Sequence, residues 1–319
     1  MLIYDCGITN QTLVGFDICG LAYFEANNKS TRCGCPGVDM GSISPSSFRL
    51  PENYNWVWGY SLDMIPDSTG RNVQTIQRTF DIVNTLQMYG KITLDKLAKK
   101  LDMPKSTLHN YLSTLESLGY VVKQNGSYRL GLRYLNHGMA ARNILQTQIP
   151  LTGVLNSISE QVSESIWWII EELGRAVFIL KSDSVENNET YAQVGKRSYL
   201  HTHAPGKAIL AHHSNEYVDK VISKHGLPSY TSKTIDSKQN LLNELNEIRG
   251  KGYSISEGEA VQGVKSVGIT FEDQHQFVHS IGVFRNIHNE DIEYPPEKLA
   301  AELQNGVDKI EEIIEDMEE

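Results

Sequence analysis

No cysteine follows Cys35 in this 319-residue chain. Cys6, Cys19, Cys33 and Cys35 all sit near the start, so a disulfide framework for the body is excluded. Cys33-Gly34-Cys35 offers half a metal site, but no second Cys pair or nearby His completes it. No run of about 18 apolar residues occurs, so no transmembrane helix is expected. The opening MLIYDCGITNQTLVGFDICG lacks a basic segment, and Asp5 interrupts its apolar residues, unlike a signal peptide. A cytoplasmic protein is expected. Gly-rich phosphate loops and nucleophile elbows are also missing, so no catalytic residue, metal or cofactor is expected.

What is present begins with ITLDKLAKKLDMPKSTLHNYLSTLESL, Ile92 to Leu118, followed by GYVVKQNGSYRLG. The pattern predicts two short helices, a tight turn and a β-ribbon wing, the arrangement that lays one helix in a DNA major groove. Thr93 suits the N-cap of the first helix, and Asp95 favours its positive end. Leu94, Leu97 and Leu101 share one face. Asp102-Met103 is the turn, and Pro104 suits the first position of the second helix. There Leu108, Leu112, Leu115 and Leu118 make an apolar stripe, and Gly119 ends the helix. Ser106, Asn110, Ser113 and Ser117 lie opposite, flanked by His109 and Thr114. Short hydrogen-bonding side chains on an outward face suit base-edge reading. The expected base-facing set is Lys105, Ser106, Thr107, His109, Asn110 and Thr114. Lys123 and Arg129, on a hairpin around Asn125-Gly126, are expected on phosphates.

Charge agrees with that expectation. The whole chain carries −10. Residues 71–135 hold ten Lys and Arg against four Asp and Glu, a net of +6. Residues 1–70 carry −4 and residues 136–319 carry −12. One basic module inside an acidic chain is the footprint of nucleic-acid binding.

Length allows two to three domains, and 40% apolar content suffices for packed cores. Residues 1–70 mix Gly, Ser, Asn and Pro without helical period. They read as a poorly ordered extension, with Met64 a plausible natural start and a short strand at Asn53–Tyr60. Val73, Ile76, Phe80, Val83 and Leu86 predict the first helix of a winged domain spanning 71–135. A helix is read over 132–147, carrying Leu132, Leu135, Met139 and Leu145; with the linker segment placed at 136–150, it precedes a domain at 151–319. In that domain, helices are expected at LTGVLNSISEQVS, Pro205–His213, Asn215–His225, Lys238–Arg249 and Pro296–Met317. Strands are expected at Ser165–Glu171, Ala176–Lys181, Thr190–Val194, Tyr253–Ile255, Val264–Phe271 and Phe277–Phe284. This order predicts an α+β fold with a mostly antiparallel sheet.

A different chemistry competes. His201, His203, His212 and His213 fall close together, and His201-x-His203 on a strand would project both rings to one side. That alternative is a metal-dependent enzyme or metal sensor. No Asp or Glu is spaced to complete a facial triad. Trp167-Trp168 reads as a dimer-interface or sheet pair rather than a ligand cage.

Several phrases together resemble the IclR family of transcriptional regulators, over about residues 71–315. They are DMPKSTLHNYLSTLESLGYV, YRLGLRYLNHG, HTHAPGKAILAH, HGLPSYTSKTI and IRGKGYSISEGE. QTIQRTFDIVNTL and PKSTLHNYL look closest to archaeal members. The resemblance implies a winged helix-turn-helix, a GAF-like effector domain, and homodimers or homotetramers on double-stranded operator DNA.

It also implies an effector pocket. Ala204 and Pro205 precede the GKA helix. Ser256 stands where the family usually has an acid, and Ser266 where it usually has Cys. Gly282 and Phe284 stand at two positions that are usually small and polar. The loss of polar groups and the gain of a ring favour a more apolar or aromatic small-molecule effector, or none.

Overall fold

The computed structural model describes residues 12–16, 22–25, 73–146, 151–183, 192–273, 277–286 and 295–316. Strands β1 (Thr12–Phe16) and β2 (Ala22–Glu25) pair antiparallel in a stretch whose composition suggests neither. Cys33-Gly34-Cys35 and the strand expected at Asn53–Tyr60 lie outside the described residues.

The winged module comprises α1 (Gln74–Tyr89), β3 (Ile92–Thr93), α2 (Leu94–Lys100), α3 (Lys105–Ser117), β4 (Val121–Gln124) and β5 (Ser127–Leu130). Its core joins Ile82 and Leu86 of α1, Leu97 of α2, Leu108, Leu112 and Leu115 of α3, and Val121 and Tyr128 of the wing. The wing turns at Asn125 and Gly126 with φ of 51° and 75°, the pair of positive values a two-residue hairpin requires. Three details depart from expectation. Pro104 occupies the N-cap, so α3 begins at Lys105. Leu118 is 48% exposed, because the helix has already ended there. Val73, Ile76 and Phe80, three of the five apolar positions expected to anchor α1, are each more than half exposed.

Helix α4 (Arg133–Gln146) follows, within one residue at each end of the helix read over 132–147. Its Leu135 is exposed and its Leu145 packs on the effector-domain core.

The effector domain runs α5 (Thr152–Val162), β6 (Ile166–Glu172), β7 (Arg175–Ser182), β8 (Arg197–Tyr199), α6 (Ala204–His212), α7 (Asn215–His225), α8 (Lys238–Lys251), β9 (Ser254–Glu257), β10 (Val264–Glu272), β11 (Val278–Asn286) and α9 (Pro296–Asp316). The six strands form one antiparallel sheet in the order β8-β7-β6-β11-β10-β9. Helices cover both faces. Alternation along strands therefore feeds two cores. Trp168, Val267, Ile269, Ile281 and Val283 meet α5 and α9 on one face. Trp167, Phe178 and Phe284 meet α6, α7 and α8 on the other. Trp167 and Trp168 are thus neighbours in sequence and buried in different cores, which makes them a sheet pair. The strand expected at Thr190–Val194 does not form over 192–194. The edge strand pairs instead at Arg197–Tyr199, beyond the Gly195 turn.

Candidate nucleic-acid interface and effector site

Helix α3 buries Leu108, Leu112 and Leu115 and turns its other faces outward. Lys105, Ser106, His109, Asn110, Ser113 and Thr114 are exposed, and Thr107 is half-buried. The Lys105 ammonium lies 2.9 Å from Asp95, with both side chains well exposed. Such a surface pair is worth little in water, so it leaves the lysine open to exchange for phosphate. Thr114 donates its hydroxyl to the Asn110 carbonyl at 2.9 Å, which leaves the Asn110 side-chain amide outside that bond. On the wing, Lys123 is exposed, with its ammonium 5.5 Å from the Tyr128 ring centroid. Arg129 is half-buried and donates to the Leu130 carbonyl at 3.0 Å.

One joint escaped the sequence reading. Tyr120, just past α3, shares a 2.7 Å hydrogen bond with His137 of α4. The Arg133 guanidinium lies over the Tyr120 ring at 5.0 Å and donates to the Leu118 carbonyl. These contacts tie α4 to the base of the wing. The spacing from Tyr120 to Arg133 carries no local signal, because the two meet only once the wing hairpin has folded.

The six expected effector positions converge around the N-terminus of α6. Ser256, Ser266 and Phe284 lie in one row across β9, β10 and β11, and Gly268 pairs with Gly282 two rows along, on the same face. Ala204 donates its backbone N–H to the Ser266 hydroxyl at 3.1 Å. Pro205 sits against the two glycines: a Cβ at Gly282 would fall 2.4 Å from Pro205 Cγ, and one at Gly268 would fall 2.5 Å from Pro205 N. Only glycine lets the helix end approach the sheet this closely. The Phe284 ring centroid lies 5.7 Å from both Phe178 and His203. All six positions are buried.

The histidines do not form the strand-borne pair considered above. Leu200–Thr202 is a 3₁₀ turn, and His203 is the N-cap of α6. Its Nδ1 accepts the Gly206 N–H at 3.1 Å, so its Nε2 donates to the Ser198 hydroxyl at 2.8 Å. Both ring nitrogens are therefore engaged, and burial pushes the His203 pKa down to about 3. His201 lies 3.2 Å from the Pro228 carbonyl, and burial lowers its pKa too. His212 pairs with Glu272 at 2.6 Å, while His213 stacks 4.2 Å from Tyr217. No group of three metal-ligating side chains occurs among the described residues.

Lys207, within the GKA phrase, is fully buried and had no assigned role in the sequence reading. Its ammonium is 2.7 Å from Glu259 and also contacts Glu244. Burial raises the Glu259 pKa against the pull of Lys207 and of the Ser256 hydroxyl. A charge cluster this deep is costly to break, whatever its net contribution to stability.

A winged helix joined by one helix to a sheet domain with a buried polar cluster defines a two-domain DNA-binding regulator. Comparison with known proteins agrees. The family model for the bacterial transcriptional regulator IclR C-terminal domain matches residues 142–311, and the IclR helix-turn-helix model matches residues 75–125. This chain belongs to the IclR family of DNA-binding transcriptional regulators. It is 29% identical over 215 residues to the HTH-type transcriptional regulator KdgR of Dickeya chrysanthemi, covering 67% of this chain and 69% of KdgR. It is 27% identical over 202 residues to ArcR of Halobacterium salinarum, covering 62% and 77%. An IclR homologue from Microbacterium hydrocarbonoxydans, solved in complex with 4-hydroxybenzoate, shares the fold. Its TM-score is 0.58 at 17% identity, covering 70% of this chain and 92% of that one. The regulator carries a DNA-binding module and an effector domain, and the metal-enzyme alternative finds no support in these relatives. No described helix is long and apolar enough to cross a membrane.

Proposed function

We propose that Lys105, Ser106, Thr107, His109, Asn110 and Thr114 read base edges of double-stranded operator DNA, while Lys123 and Arg129 hold phosphates. The supporting observation is the exposed polar side of α3 in a module of net charge +6. A second copy on the adjacent half-site completes the reading. Val73, Ile76 and Phe80 of α1 and Leu132 before α4 are 60%, 56%, 54% and 79% exposed, an apolar surface suited to pairing in a homodimer or homotetramer. The regulator acts in the cytoplasm, and residues 1–63 are dispensable for it. Titration of operator DNA with the full chain and with a chain starting at Met64 tests this. Affinity should fall steeply with salt for both, as counterions are released. Salt-independent affinity, or loss of binding in the shorter chain, sinks the corresponding part.

The effector would lie among Ala204, Pro205, Ser256, Ser266, Gly282 and Phe284. Ser256 offers a hydroxyl but not the charged acceptor of an acid. The cluster of tilted and edge-on rings of Phe284, Phe178 and His203 supports an aromatic ligand that packs against it. The 4-hydroxybenzoate bound by the Microbacterium homologue fits the same preference. Binding shifts the population of domain arrangements and so the spacing of paired winged helices. Calorimetry with small keto acids and aromatic acids decides the class. Micromolar keto-acid binding without an aromatic response would overturn it.

A further inference from the structure

A groove of about 1130 Å³ runs along α4, walled by α4 on one side and by β6, β7 and the segment leading to β8 on the other. It lies apart from the α6 site: none of Ala204, Pro205, Ser256, Ser266, Gly282 or Phe284 lines it. Its volume is of the order of small-molecule sites. Tyr134, Met139, Leu145, Val177 and Ile179 supply apolar walls.

Its charge is opposite to that of its surroundings. Residues 136–319 carry −12, yet among the described lining residues the charged ones are Arg142, Lys196, Arg197 and the acid Glu172. Arg197 already engages Glu172, with a second bond from Arg197 Nη2 to the Glu172 carbonyl at 2.9 Å. That acid is therefore spent within the pair. The Arg142 Nε is buried without a hydrogen-bond partner. An unsatisfied donor on a charged group is costly away from water.

We propose that this groove is a second ligand site, for a small organic carboxylate with an apolar body. The carboxylate would accept from Arg142, and the body would lie against Met139, Leu145 and Val177. Position gives the site a consequence. The first turns of α4 are fixed to the wing through Arg133 and His137, and its last turn packs on the effector core through Leu145. A ligand bridging α4 and the sheet would hold the winged module in one orientation relative to the effector domain. Operator affinity would then respond to this site independently of the α6 site.

The test uses the full chain with octanoate and decanoate, acids without the aromatic ring proposed for the α6 site, by calorimetry. Saturable binding is expected, weakened about tenfold or more by Arg142→Gln, the size of a lost charge-assisted hydrogen bond. Gly138→Phe provides a variant that keeps the fold. Gly138 lines the groove, and a Cβ there meets nothing within 4 Å. Replacing a mid-helix glycine favours the helix, while the ring fills the groove. It should abolish binding with the thermal transition unchanged or raised. Ser256→Ala should leave groove binding intact. No saturable binding of either acid overturns the proposal. So does binding lost in Ser256→Ala but kept in Gly138→Phe, which would place the acid at α6. A change of oligomeric state in Gly138→Phe would overturn it as well, since the groove would then be a seat for a second copy of the chain.

Discussion

Helices α3 and α6 are each the working helix of their domain, and they are built in opposite ways. Of thirteen residues, α3 buries three. Of nine residues, α6 buries eight, including the charged Lys207. The first presents side chains to a partner outside the protein, so its polar groups can stay in water until that partner arrives. The second organises a site inside the protein, so every polar group it buries needs an internal partner. His203 caps the helix, Ala204 bonds Ser266, and Lys207 is held by two carboxylates. Substitutions on the exposed side of α3 should therefore change DNA binding without touching stability, and substitutions of the buried polar groups of α6 should cost stability first.

The largest expected effect is at Lys207. Lys207→Ala strands Glu244 and Glu259, and breaking a buried ion cluster costs about 3–5 kcal/mol. The already raised Glu259 pKa lets that carboxyl take up a proton, which holds the cost toward the lower end. Urea unfolding measures it, and a loss below about 1 kcal/mol would erase the contrast with α3.

Next is the pH dependence set by His203, whose pKa falls from 6.5 to about 3 on folding. A depressed histidine stays neutral in the folded chain while the unfolded chain takes up a proton. Its contribution is therefore complete above pH 6.5 and is lost as pH falls toward 3. Between pH 6.5 and 5 the loss is about 2 kcal/mol from this group. His213, lowered to about 4, acts in the same direction, whereas the raised Glu259 acts against it. Unfolding curves across this range should be flatter for His203→Gln, and an unchanged slope would show that His203 is not the titrating group.

On α3 the effects are on recognition. Asn110→Ala should cost about 1–3 kcal/mol of discrimination between operator and other DNA. Its thermal transition should not move. A stability loss comparable to that of Lys207→Ala would mean that α3 is packed more deeply than its exposure indicates.

The smallest expected effect is at the wing. Lys123→Ala should weaken binding to all sequences alike and reduce the salt slope by about one. A change confined to one sequence would move Lys123 from the phosphates to the bases.

The same contrast governs what could be read in advance. The helix-turn-helix was legible almost residue by residue, because its stripe, turn and Asn125-Gly126 hairpin are local patterns. Its polar side follows from the apolar stripe by subtraction. In the effector domain, the helices α7 and α8 and strands β6, β7, β10 and β11 were placed within a few residues by periodicity. The strand expected at Thr190–Val194 does not form over its described residues, 192–194, because a short edge strand is chosen by the neighbour it pairs with. His201 and His203 were given strand geometry, whereas the chain turns there to cap α6. The exposure of Val73, Ile76 and Phe80 was also hidden, since an apolar stripe looks the same whether it meets the chain's own core or a second copy.

By itself the sequence determined the element types, the basic module in an acidic chain, and the family to which the phrases belong. These depend on local propensity, spacing and summed charge. The tertiary structure alone decided that Ser256, Ser266 and Phe284 form one row under Ala204 and Pro205. It also decided that Lys207 meets Glu259, and that Tyr120 grips His137. The physical reason is common to all three: partners distant along the chain become neighbours only through strand register and helix packing, which no local pattern encodes.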